Sequence, residues 1–290
     1  MRVPFEARYD PPGLDLLDRG RVTEQRSFNM ARPTALITGA SSGIGADLAR
    51  EAAKDGYDVV LSARRVEPMQ TLAGELESYG ASATILAADL SKSGNAPALV
   101  REIAQHGMAV DLLINNAGLG DNGAFAESDT TRIGEMLQVN IVALTELTRL
   151  ILPAMIARKR GRVMLLASTA SFQPGPQMAV YCATKAYVLS LGEAIAYELR
   201  NSGVTVTTVC PGATATEFSR VAGAENIALN RSAMSSVMSS AEVARIGYQG
   251  TKAGRRVVIT GFMNRVMATA ARISPHAMVL PVASSMMSTR

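Results

Sequence analysis

The sequence predicts an α/β fold: a single doubly wound domain with a seven-stranded parallel sheet and helices on both faces. Three observations carry that expectation. From Thr34 onward, short apolar runs rich in β-branched residues alternate with longer runs of helical period. The strand-like runs are apolar throughout, as strands covered on both faces are. No repeat, low-complexity tract or linker divides the chain, and 290 residues at 48% hydrophobic composition suffice for one large core.

The strands centre on TALIT (34–38), DVVLS (58–62), ATILAA (83–88), DLLIN (111–115), RVMLLAS (162–168), TVTTVC (205–210) and RVVITG (256–261). Between them GADLAREAAKDG, VEPMQTLAGELESYG, APALVREIAQHG, the run 131–158, KAYVLSLGEAIAYELRNSG and SAEVARIGYQGT read as helices. Several close on glycine, which adopts the left-handed conformation that ends a helix. The domain is expected over 33–262, with a flexible arm at 1–32 and an apolar helical extension at 263–290. The arm is charged, holds two adjacent prolines and lacks an apolar core segment, so it reads as neither signal peptide nor membrane span. Met30 directly precedes the first strand and is a second candidate translation start, which mass spectrometry of the native N-terminus would settle.

The 29 basic and 25 acidic residues leave a net charge of +4 without a sustained basic stripe. With 4% aromatic residues and no Trp, the chain offers few stacking platforms, so nucleic acid is not the expected partner and a small anion fits better. Cys182 and Cys210 form no C-x-x-C pattern, and His106 lies far from His276. No disulfide or metal site is read, and a reducing, cytoplasmic setting is expected. Cys182 reads as a core filler, with no histidine near it in sequence to activate a thiolate.

TGASSGIGADLAR follows the first strand directly. Gly39, Gly43 and Gly45, with Ser41, Ser42 and Ile44 between and beside them, sit where a Rossmann-type βαβ unit brings backbone against a pyrophosphate. The spacing is G-x-x-x-G-x-G, not G-x-G-x-x-G. At the end of the second strand, VVLSARR has Ala63 where an acid would take the ribose 2′-hydroxyl, then Arg64 and Arg65. Loss of the acid and gain of the base predict NADP(H), with Arg64 on the 2′-phosphate. Further along, VYCATKAYVLS places Tyr181 and Lys185 four apart, hence on one helical flank.

Four more elements line up with these: Asp89 and Leu90; NNAG at 115–118; VN ending at Asn140; and Ser168 thirteen residues before Tyr181. Pro211 and Gly212, with Thr216 beyond, complete the set. In this order and spacing the chain resembles the short-chain dehydrogenase/reductase family from about Thr34 to Gly261, in its NADP-preferring, 3-oxoacyl reductase-like form. The resemblance implies a carbonyl reductase in which Tyr181 is the general acid or base and Ser168 donates to the substrate oxygen. Lys185 would hold the nicotinamide ribose and, together with the oxidised nicotinamide, lower the Tyr181 pKa. Asn140 would hold a water that relays protons from Lys185. Asp89 and Leu90 would border the adenine. Asn116, Ala117 and Gly118 would approach the ribose and nicotinamide, with Asn115 bracing the sheet. Pro211, Gly212, Thr214 and Thr216 would hold the carboxamide and pyrophosphate. Family members often form dimers or tetramers through their long helices.

The expected substrate is a moderately apolar ketone or aldehyde: 3-oxoacyl, steroid-like or otherwise lipid-derived. Two other readings remain: NAD-linked alcohol oxidation, which Arg64 opposes, and an NADP-binding sensor or assembly protein without turnover, which the intact Tyr181 and Lys185 oppose. The segment EFSRVAGAENIALNRSAMSSVMSS is small and methionine-bearing, like a mobile lid over an apolar compound. After the seventh strand, Phe262, Met263, Val266, Met267, Ala270 and Ile273 recur at helical spacing, apart from Arg265 and Arg272. That stripe is read first as cover for the core or substrate pocket, second as a subunit contact and third as peripheral membrane attachment. The last residues, broken by Pro281, fall short of the about 20 apolar residues that a spanning helix needs.

Overall fold

The computed structural model describes residues 32–223 and 237–287. Residues 1–31 of the expected arm and 224–236 of the lid expected at 217–240 lie outside the described residues. The first half runs β1 (Thr34–Thr38), α1 (Gly43–Lys54), β2 (Asp58–Ser62), α2 (Val66–Glu77), β3 (Ala83–Ile85), α3 (Asn95–Gln105), β4 (Val110–Asn115), α4 (Thr130–Leu137) and α5 (Leu144–Ala157). Then come β5 (Gly161–Leu166), α6 (Ala179–Glu198), β6 (Val204–Cys210), β7 (Thr214–Ala215), α7 (Glu217–Val221), β8 (Met238–Ser239), α8 (Ser240–Lys252), β9 (Val257–Ile259), α9 (Phe262–Ile273) and α10 (His276–Met287).

The main sheet has seven parallel strands in the order β3-β2-β1-β4-β5-β6-β9. Chain direction across the sheet reverses between β1 and β4, and ligands bind at such a switch point, beyond the carboxyl ends of the strands. Strand pleating sends neighbouring residues to opposite faces. Leu36 and Leu113 therefore join one core with Leu99, Leu147 and Val188 from α3, α5 and α6. Ile37 and Ile114 join the other with Leu48, Met69 and Tyr248 from α1, α2 and α8. Burial on both sides accounts for the apolar strands of the sequence.

Three local features differ from the sequence reading. The third strand ends at Ile85, although Leu86 and Ala88 still donate backbone hydrogen bonds to Leu61 and Ala63 on the way into the cleft. A parallel pair of two-residue strands, β7 and β8, joins the segment after Pro211 to the start of α8. The run 131–158 is helical, but Gln138–Ala143 forms a π-turn between α4 and α5. Such a turn marks a functional site more often than an ordinary helix does, and this one carries Asn140.

Candidate active site

The carboxyl ends of β1, β2, β4, β5 and β6 border a cleft of about 500 Å³. At its base the glycine turn is forced into place by contact. Gly39 has φ +66°, and a Cβ there would lie 2.8 Å from Asn116 Nδ2. At Gly45 a Cβ would lie 2.2 Å from Gly39 O, which no side chain tolerates. Asn116 holds the turn from the other side: its Nδ2 donates to Thr38 O (2.9 Å) and Gly39 O (3.2 Å), and its backbone N donates to Thr38 Oγ1. The Asn116 side chain therefore braces the turn, while Ala117 and Gly118 present backbone to the cleft. Asn115 is buried and donates to Thr148 of α5 (2.9 Å), tying helix to sheet.

Ser168 follows β5 and caps a short 3₁₀ turn, its Oγ accepting from Ala170 N (3.1 Å) and donating to Pro211 O (3.4 Å). Tyr181 and Lys185 stand on the first turns of α6, both facing the cleft, 9% and 5% exposed. The Tyr181 ring packs against Phe218 with centroids 5.6 Å apart. Lys185 Nζ lies 5.8 Å from the Tyr181 ring centroid and donates to Leu166 O (2.8 Å). Burial pushes the Tyr181 phenol up to about 12, against the opposing hydrogen bond of Ser168. Desolvation dominates at this phenol, and the Lys185 ammonium beside it is anchored to a backbone carbonyl. Burial likewise brings Lys185 down to about 8.

Asn140 is fully enclosed. Its Nδ2 donates to Leu119 O (2.8 Å) and Thr184 Oγ1 (3.0 Å), and its Oδ1 accepts from Leu119 N (2.8 Å). With both amide hydrogens committed, the side chain fixes the loop after Gly118 against α6. Its oxygen and Lys185 Nζ both border Gly118, at 3.5 and 3.4 Å from the position of a Cβ there.

Asp89, also on the cleft lining, loses charge stability by burial. The Ser91 hydroxyl and amide and the Arg64 guanidinium outweigh that loss and hold its carboxyl below the usual range. Leu90, Ser41, Ser42, Gly43, Ile44, Pro211, Gly212, Thr214 and Thr216 also line the cleft, and Thr216 lies against Gly43. Among the described residues Arg64 has no hydrogen-bonded partner. Arg65, which the sequence named but assigned no role, donates to Ser42 Oγ (3.1 Å), Ser41 Oγ (3.5 Å) and Glu217 Oε2 (2.7 Å). Residues 152 apart in the chain give no local sign of that bridge. An apolar wall joins Val139 and Met178, which the sequence did not single out, to Phe218 of the expected lid and Met287 of the C-terminal extension. Met287, from α10, brings the C-terminal extension to the cleft, where its carbonyl accepts from Asn122 (3.4 Å). Cys182 lies below the site with its thiol pushed up to about 12 by burial, so it is not poised as a nucleophile.

Comparison with known proteins agrees with this geometry. The short chain dehydrogenase family profile matches residues 33–226. The ketoacyl reductase HetN of Nostoc sp. is 35% identical over 179 residues, which cover 62% of this chain and 62% of that protein. A short-chain dehydrogenase from Sphingobium yanoikuyae, solved in complex with NADPH, superposes with a TM-score of 0.73 at 33% identity, covering 82% of this chain and 92% of that one. A 7β-hydroxysteroid dehydrogenase structure gives a TM-score of 0.77 at 25% identity, covering 87% and 96%. With a doubly wound sheet, a glycine turn at its switch point and the Ser168, Tyr181, Lys185 cluster above it, the chain belongs to the short-chain dehydrogenase family.

Proposed function

We propose that this protein reduces an apolar ketone or aldehyde to an alcohol with NADPH. The observation that carries this reading is the convergence of Ser168, Tyr181 and Lys185 on one cleft beside a glycine turn too tight for any side chain. The residues present fit the cofactor. The tight glycine turn at Gly39 and Gly45 on the cleft lining suits a pyrophosphate, and Arg64, which lines the cleft with Ser41, suits a 2′-phosphate in place of a free hydroxyl. When bound, NADPH supplies the hydride that attacks the carbonyl carbon.

The chain's own residues do the rest. Ser168 donates to the carbonyl oxygen and stabilises the charge that develops there. Tyr181 gives its phenolic proton to that oxygen, so one hydride and one proton convert C=O to CH–OH. A phenol with a pKa near 12 keeps its proton at neutral pH, which suits a proton donor in the direction of reduction. Lys185 holds the ribose hydroxyls, and Asn140 fixes the loop that carries Gly118 beside it. Val139, Met178, Phe218 and Met287 form an apolar substrate wall and exclude water. The names of the relatives, a ketoacyl reductase and a hydroxysteroid dehydrogenase, support a 3-oxoacyl or steroid-like substrate.

A second copy of the chain is expected on the α5 and α6 surface, where Leu150, Ile156, Tyr187 and Tyr197 are exposed. Two free, buried thiols suit a reducing, cytoplasmic setting. The test is consumption of NADPH and of NADH by the full-length protein with a panel of ketones graded in apolar size. Turnover with NADPH and the larger ketones supports the proposal; tight NADPH binding with no turnover on any of them supports a sensor instead.

A further inference from the structure

The last two helices leave most of their large apolar side chains outside. On α9, Ala268 is buried and Asn264, Met267 and Ala271 are half-buried, so this face packs inward. Phe262, Met263, Val266 and Ile273 point away from it, 76%, 40%, 46% and 80% exposed. Of the expected stripe, Met267 turns toward the core, whereas Phe262, Met263, Val266 and Ile273 cover neither the core nor the substrate pocket. On α10, Val279, Ala283 and Met287 pack inward while Met278, Leu280 and Val282 are exposed. A soluble surface seldom concentrates so many large apolar groups in two short helices without a partner.

The charge pattern selects the partner. After Glu242 the chain has no Asp or Glu, while Arg265 and Arg272 occupy the flank of α9 beside the exposed apolar stripe. An apolar face bordered by arginines, on helices that carry no acid of their own, is the pattern of a helix lying in the interface of an anionic bilayer. Spanning is excluded by length, because each helix has 12 residues and a span needs about 20. A second copy is the weaker occupant. The apolar face on α5 and α6 already offers a self-association surface, and copies meeting at α9 would bring like charges together.

We propose that α9 and α10 dock the protein on an anionic lipid surface. The same extension reaches the cleft, where Met287 forms part of the apolar wall and packs beside Gly175. Docking then brings the substrate end of the cleft near the bilayer, where lipid-derived carbonyl compounds partition. That last step rests on the proposed function; the docking itself does not.

The test is flotation of the full-length protein with vesicles of phosphatidylcholine alone or of phosphatidylcholine with phosphatidylglycerol. The protein is expected to float with the anionic vesicles, with at least a several-fold smaller bound fraction on the neutral ones and at high salt. The triple variant Phe262→Ser, Val266→Ser, Ile273→Ser is expected to lose binding about ten-fold or more while retaining its NADPH affinity, which certifies its fold. Arg265→Gln with Arg272→Gln is expected to abolish the preference for anionic vesicles. Absence of flotation with either vesicle overturns the proposal, as does undiminished flotation of the triple variant. A change in oligomeric state in that variant, without vesicle binding by the parent, overturns it in favour of a contact between copies. Loss of ketone turnover with flotation intact would bear on the catalytic reading alone.

Discussion

Replacing Lys185 by Met separates the charge of this side chain from its bulk. Lys185 is 5% exposed, and burial brings its pKa down to about 8. Because that value is depressed, the ammonium is present below about 8 and lost as pH rises through it. Its protonated fraction is roughly nine-tenths near pH 7 and roughly one-tenth near pH 9. If the charged form is the one that holds the ribose, apparent NADPH affinity falls with that fraction, by up to about ten-fold, or ~1.4 kcal/mol, across this interval. The assay is a fluorescence titration with NADPH at several pH values. Wild type should weaken towards high pH; Lys185→Met should bind more weakly near pH 7 and show a flat profile. A flat wild-type profile, or an equal slope in both proteins, refutes the reasoning.

Arg64→Asp should reverse the preference from NADPH to NADH, read as the ratio of the two kcat/KM values; an unchanged ratio removes Arg64 from the 2′-phosphate. Gly45→Ala forces a methyl to within 2.2 Å of Gly39 O, so stability should drop by roughly 1–3 kcal/mol and NADPH binding should be lost. A thermal melt and a titration matching wild type would show that the turn is looser than described. Ser168→Ala removes the hydroxyl proposed to donate to the substrate oxygen, and kcat for reduction should fall about 10²–10³-fold with little change in cofactor affinity. Wild-type kcat in that variant would deny Ser168 its role.

How much of this was legible before folding depends on the range of the interaction. The pairing of Tyr181 with Lys185 is a property of one helix, so a spacing of four residues was enough to show it. The glycine turn and the missing acid at Ala63 lie next to strands recognisable from their β-branched runs, and the structure puts both at the cleft. The π-turn at Asn140 depends on a backbone hydrogen-bond shift that no residue type announces. The bridge from Arg65 to Glu217 and the arrival of Met287 join segments that are distant in the chain. The spacing reveals a cation near Tyr181, whereas the depth of burial that raises this phenol is a property of the whole fold. Helical period picks out an apolar stripe on α9, but period alone does not say which side of a helix meets the core.

The central claim is that the Tyr181 hydroxyl delivers the proton during carbonyl reduction. Tyr181→Phe removes that one oxygen from a packed ring and leaves the contact with Phe218 available. Measured on the best ketone substrate, NADPH consumption should fall by about 10²–10⁴-fold while NADPH affinity stays within a few-fold of wild type. Turnover in Tyr181→Phe at the wild-type rate would contradict it.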